Sequence, residues 1–216
     1  MTAAVLTPMA NPTVEAEFRA LLPPTLPWVT GRLVSDEPDS MKRLVAYAEG
    51  MAGAMRQFDS LALSAVAFAC TGSSYLVGRE RQAELDEAIS VPVIWATDAI
   101  ERRLAMLGAR RIAVVSPYPP ELHASGLTYW RKGGLEIVFD ARVDIGSADT
   151  RAIYALGSDA ANEALESARA ARPDAILLSG TGMPTLPLLD PDGTPPVVSS
   201  NLCLADALVA AVGDRS

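Results

Sequence analysis

A chain of 216 residues, half of them apolar, can bury a sizeable core, which excludes a disordered tail or linker. The net charge of −8, a pI near 4.7 and only two lysines, Lys42 and Lys132, argue against nucleic acid or an anionic membrane surface as partner. No basic segment followed by an apolar stretch opens the sequence, and no run of about 18 apolar residues occurs, so a cytoplasmic protein is expected, neither exported nor membrane-spanning.

The residues that carry chemistry are few. Two cysteines, Cys70 and Cys203, cannot supply a disulfide framework for a chain of this size. A single histidine, His123, rules out a His-rich metal site and makes a Ser-His-Asp triad improbable. Neither GxGxxG nor GxxxxGK[ST] is present, so nothing supports nucleotide binding. No metal and no cofactor are expected.

Short runs of Val, Ile and Leu alternate with longer helical patterns, the signature of βαβ units and a parallel sheet. The first strand, at about 3–7, runs into TPMANPTVE, where Pro12 suits the first position of a helix. Asn11 beside it offers an amide to a carboxylate or simply caps that helix. A second strand is expected at about 28–34. The third, at about 64–69, is the most apolar and closes on Cys70, followed by Thr71, Gly72, Ser73 and Ser74, with a helical pattern from about Tyr75. The fourth, at about 92–96, leads into a helix ending at Gly108. The fifth, at about 111–116, runs into SPYPPEL, which carries Tyr118, and the sixth lies at about 136–143. The seventh, at about 175–179, is followed by Gly180, Thr181 and Gly182. The eighth, at about 196–200, precedes a last helix that holds Cys203 among Leu204, Ala207 and Leu208 and ends at Gly213. That spacing gives Cys203 a packing role.

The second half repeats the first. AVAFACTG over 65–72 lies on AILLSGTG over 175–182 at a constant offset, VLTP ending at Pro8 matches VVSP ending at Pro117, and VPVI before Trp95 matches PPVV before Ser199. The expected architecture is α/β, with two pseudo-symmetric four-stranded parallel-sheet lobes of flavodoxin-like type and the active site between them. The first lobe would comprise residues 1–96 plus 200–216 and the second 97–199, the last helix being exchanged onto the first lobe.

Where two carboxyl edges of parallel sheets face each other, the loops between them form a cleft. Cys70 would stand there as nucleophile or proton donor, beside free N–H groups and a helix N-terminus that favour the thiolate. Thr71, Gly72 and Ser73 on one side and Thr181 and Gly182 on the other would supply N–H and hydroxyl donors for a carboxylate or an enolate-like intermediate. Tyr118 offers a phenol to the same ligand. The place matching Cys70 is held by Gly180, so the cleft offers one thiol. Pro8, Met9, Tyr75, Leu76 and Met183 are expected, from loop position, to line its apolar end.

Taken together, TPMANPTVE, FACTGSS, the SPY segment, LLSGTGMPTLPLLD and PVVSSN resemble the aspartate/glutamate racemase superfamily, within it the branch of maleate cis-trans isomerase and arylmalonate decarboxylase. The resemblance runs along nearly the whole chain. It implies two lobes enclosing a small carboxylate, Cys70 as the first-lobe cysteine, Asn11 and Tyr118 as carboxylate ligands, and Thr71, Gly72, Ser73, Thr181 and Gly182 around an oxyanion pocket. Gly180 departs from the racemases and maleate isomerases, which carry a second cysteine there, and this puts two-base racemisation in doubt. The arylmalonate decarboxylases carry their lone cysteine in the second lobe, so this chain has the mirror arrangement. The expectation is a cofactor-independent, Cys70-dependent isomerase of small unsaturated dicarboxylates. The alternatives are a decarboxylase of substituted malonates with Cys70 as proton donor, and a carboxylate-binding protein without catalysis. A homo-oligomer is expected.

Overall fold

The computed structural model describes residues 2–213 and contains eight strands, each where the apolar runs predict one. They are β1 (Thr2–Pro8), β2 (Trp28–Leu33), β3 (Leu63–Phe68), β4 (Val93–Trp95), β5 (Arg111–Ser116), β6 (Glu136–Arg142), β7 (Ala175–Leu178) and β8 (Val197–Ser199). They form two all-parallel sheets with orders β2-β1-β3-β4 and β6-β5-β7-β8. Each order is the opening of the flavodoxin-like arrangement.

The registers agree as well as the orders. Leu6 pairs with Phe68 across β1 and β3, and Val115 with Leu178 across β5 and β7. Beyond the strand ends, Ala69 N donates to Leu6 O and Ser179 N to Val115 O, both at 2.8 Å. The sequence repeat is therefore a repeat of structure down to single hydrogen bonds.

The central strands are buried on both faces, which is why they read as continuous rather than alternating apolar runs. Eight helices accompany them: α1 (Thr13–Leu21), α2 (Ser40–Glu49), α3 (Met51–Ala54), α4 (Thr71–Asp86), α5 (Ala96–Met106), α6 (Pro120–Lys132), α7 (Asn162–Ala170) and α8 (Ser200–Gly213). Their starts follow local chemistry. Asp39 accepts from Lys42 N at 2.8 Å to cap α2, and Pro120 opens α6. α8 packs against β3, β4, α1 and α5 as well as its own β8, so the end of the chain covers the first sheet. No helix among the described residues is long and apolar enough to cross a membrane.

One boundary differs from expectation. α4 begins at Thr71, directly after Cys70, not near Tyr75, and Thr71, Gly72, Ser73 and Ser74 are all buried in its first turn. Small polar residues looked like a loop because their burial comes from α2 and α6 packing on this turn, with Leu44 and Leu122 against Gly72, which local sequence does not reveal. Gly78, with φ 72°, breaks the helical conformation midway along α4.

Candidate functional site

Cys70 sits between β3 and α4 in extended backbone, φ −147° and ψ 92°. It is 5% exposed and lines a small cavity of about 30 Å³. Pro8, Asn11, Leu44, Cys70 and Gly72 enclose it from the first lobe, and Tyr118, Thr150, Ile153, Tyr154, Thr181 and Gly182 from the second. Both facing edges thus contribute.

The Ser73 hydroxyl, one helical turn on, donates to Cys70 Sγ at 3.0 Å. Burial pushes the thiol above its ordinary value, while the Ser73 hydroxyl and the Ser73 and Gly72 N–H groups act in the opposite direction and are outweighed. This corrects the expectation that the start of a helix favours the thiolate here. The donors are in place, but they do not make up for the solvation that burial denies a charged sulfur. At neutral pH Cys70 is a protonated thiol. Its alkylation by iodoacetamide, mapped by peptide mass spectrometry, is expected to keep accelerating above about pH 8.5, where a free thiol levels off. A plateau at or below that pH would contradict the assignment. Cys203 is 1% exposed and its thiol is likewise raised by burial, which suits a packing role.

The donor groups are partly committed. Thr71 Oγ1 donates to Ser200 Oγ at 3.1 Å, and Gly180 N donates to the same oxygen at 3.0 Å. Thr181 Oγ1 donates to Ala69 O at 2.9 Å. As donors both threonine hydroxyls are therefore already used, Thr181 in joining the lobes and Thr71 within the first lobe, where the expectation had them facing a ligand. What Thr181 and Gly182 have left is backbone N–H. Asn11 takes the capping role of the two weighed for it and also lines the cavity. Its Oδ1 accepts from Thr13 N at 2.9 Å and caps α1, while the residue lines the cavity with only its amide NH₂ left to offer.

Tyr118 lines the cavity, and burial, with Tyr75 and Cys70 nearby, raises its phenol, which keeps it a neutral donor. Tyr75 does not line the cavity. Its ring stands edge-on to Tyr118 with centroids 6.2 Å apart, and its hydroxyl shares a 2.7 Å hydrogen bond with Ser179 and accepts one of 3.0 Å from Trp130 Nε1. Of the other apolar candidates only Pro8 reaches the cavity. Leu76 faces an outer cleft between α4 and α6, Met183 is wholly buried in the core, and Met9 is partly buried away from the cavity. Starting α4 at Thr71 turns Leu76 to the outside, and Met183 follows a turn closed by its own N–H on Gly180 O.

Sequence reasoning missed the cover of the site. Thr150, Ile153 and Tyr154 belong to a single 3₁₀ stretch, Thr150–Ala155, whose sequence has no helical or strand period. Asp149 pins this stretch to the first lobe by accepting from the buried Arg43 at 2.6 Å, with Arg151 beside it. Those cations hold its carboxyl well below the usual range. Leu44, on α2, was missed too. At about 30 Å³ the cavity has room for water and not for a dicarboxylate, so binding requires its walls to part.

His123 forms an unexpected chain. Its Nδ1 is 2.7 Å from Ser116 Oγ and its Nε2 is 3.0 Å from Asp140 Oδ2. Ser116 is 1% exposed and does not line the cavity, so the arrangement braces the β5–α6 loop that carries Tyr118. No cluster of His, Cys, Asp and Glu suited to a metal occurs among the described residues.

The fold has solved counterparts. A Nocardia farcinica maleate cis-trans isomerase mutant with a covalently bound succinylcysteine intermediate superposes with a TM-score of 0.81 at 20% identity, over 98% of this chain and 92% of that one. An arylmalonate decarboxylase superposes with a TM-score of 0.80 at 23% identity, over 100% and 94%. The maleate isomerase Iso from Pseudomonas putida S16 gives 0.81 at 22%, over 99% and 93%. Comparison of the sequence with curated proteins finds no match. A family description for arylmalonate decarboxylase matches residues 37–216, most of the chain, Cys70 included. The chain belongs to the arylmalonate decarboxylase family.

Proposed function

We propose that the protein is a cofactor-independent decarboxylase of small substituted malonates in which Cys70 is the proton donor. The observation that carries this is the place of the sulfur: one buried thiol on the cavity wall, with Gly180 and no second thiol at the matching place of the other lobe. An acid at rest suits a step that consumes a proton.

The chemistry closes with these groups. One carboxylate of the malonate is held by N–H donors from both lobes and by the Tyr118 phenol, and the other lies toward the apolar wall of Leu44 and Ile153. The carbon–carbon bond to the second carboxylate breaks, carbon dioxide leaves, and its electron pair forms an enediolate on the retained carboxyl. Cys70 gives its proton to the α-carbon, and the thiolate recovers one from water. With one acid on one face, a prochiral malonate yields a single enantiomer.

The isomerase of unsaturated dicarboxylates stands as a second reading, favoured by the covalently bound succinylcysteine intermediate in the similar isomerase mutant. There Cys70 thiolate would add to the double bond, the single bond rotate and elimination follow. The raised thiol disfavours it here. Incubation with α-methyl-α-phenylmalonate, whose decarboxylation product carries a stereocentre, and with maleate separates the readings. Carbon dioxide with optically active product supports the decarboxylase, fumarate transfers the assignment to the isomerase, and binding without turnover leaves a carboxylate-binding protein.

A further inference from the structure

We propose that Asn201, held by Glu17, is a positioning residue that turns the Gly182 N–H toward the cavity as a carboxylate donor. The inference deepens the proposed function and rests on its carboxylate site.

Glu17 lies on α1 of the first lobe and is 2% exposed, yet every polar contact it makes reaches beyond that lobe's own strands. It accepts from Thr185 N, from Thr185 Oγ1 at 3.0 Å, from Leu186 N at 3.0 Å and from Asn201 Nδ2 at 2.7 Å. Asn201, 1% exposed on the first turn of α8, donates from the same nitrogen to Thr181 O at 3.1 Å. Both hydrogens of its amide are therefore used, one on the Glu17 carboxylate and one on the Thr181 carbonyl. The reverse orientation of the amide would set its oxygen against two acceptors, so the partners fix which end is nitrogen.

The consequence is geometric. In a trans peptide the C=O and the N–H of one unit point in opposite directions. Drawing Thr181 O toward Asn201 therefore aims the Gly182 N–H the other way. Thr13 Oγ1, on the same face of α1 as Glu17, holds the next carbonyl, Gly182 O, at 2.8 Å. Gly182 is buried and lines the cavity, and among the described residues its N–H has no acceptor. A buried N–H without a partner costs free energy that a ligand oxygen would recover. A side chain at 182 is excluded too, since a Cβ there would lie 2.8 Å from Tyr154 and 3.1 Å from Ile153.

A merely structural role for Glu17 and Asn201 predicts something different, and a swapped pair separates the two. Glu17→Gln combined with Asn201→Asp keeps an acceptor for Thr185 and Leu186 and keeps a hydrogen bond between positions 17 and 201, but leaves nothing to donate to Thr181 O. In a Cys70→Ser parent, which removes turnover, malonate affinity is measured by calorimetry. The swapped pair is expected to melt close to the parent and to bind malonate about tenfold or more weakly, the value of one hydrogen bond to a charged group. Binding within about twofold of the parent overturns the proposal, as does a parent that binds no malonate. Independently of whether the variant folds, the Gly182 amide resonance of the ¹⁵N-labelled parent is expected to shift on adding malonate, and an unmoved resonance overturns the proposal. Should the unmodified protein decarboxylate nothing while these results hold, the decarboxylase falls and the positioning role stands.

Discussion

Cys70→Ala is expected to lower turnover of a substituted malonate by about 10³-fold or more, the scale of removing a positioned general acid. No other group on the cavity wall can take its place. Tyr118 and Tyr154 are the remaining acids there, and burial raises both phenols, so neither gives up a proton readily. The Ser73 hydroxyl, whose partner is the sulfur, would be left pointing at an empty corner and is far too weak an acid to reprotonate an enediolate. The fold should barely notice. The substitution removes one sulfur from a site beside an existing void, and the melting temperature is expected to move by no more than about 4 °C, roughly 1 kcal/mol for a chain of this length. The measurement pairs steady-state rates with thermal melts, and full activity in a folded Cys70→Ala variant would remove the mechanism.

Gly180→Cys, which would restore a thiol at the matching place of the second lobe, is expected to destabilise the protein and to create no two-base racemase. Gly180 has φ 132°, a conformation that side chains rarely adopt, and a Cβ there would stand 3.0 Å from Pro117 Cδ and 3.2 Å from its Cγ. The backbone strain alone costs about 1–3 kcal/mol. Relief requires moving the Pro117–Tyr118 segment, and Tyr118 is one of the cavity's walls. The Gly180 N–H bond to Ser200 that ties the lobes would be disturbed at the same time. Thermal melts with and without the substitution, together with proton–deuterium exchange on an enantiopure product acid, test both halves. A variant as stable as the parent would show that the loop accommodates a side chain without strain.

The strands and the duplication were legible because buried parallel strands must be apolar on both faces, and that leaves a mark in local sequence. Cys70, Gly72 and Tyr118 could be placed at the facing edges for the same reason, since each directly follows a strand end or opens a helix. The cover of the site was not legible. Ile153 and Tyr154 reach Cys70 from an aperiodic stretch pinned by Asp149 to Arg43, a contact more than a hundred positions apart that no periodicity encodes. The same holds for Glu17, whose partners sit in 185–186 and 201, and which in sequence is one acid of an amphipathic helix. Met9, Leu76 and Met183 were misplaced because loop position predicts nearness to an edge and says nothing about which way a side chain turns.

The placement of α8 shapes how the protein comes into being. The helix that covers β3 and β4 follows all eight strands in the chain, so the first sheet keeps one flank bare until α8 docks. α8 works as a clasp, and removing it would leave an apolar face exposed to aggregation.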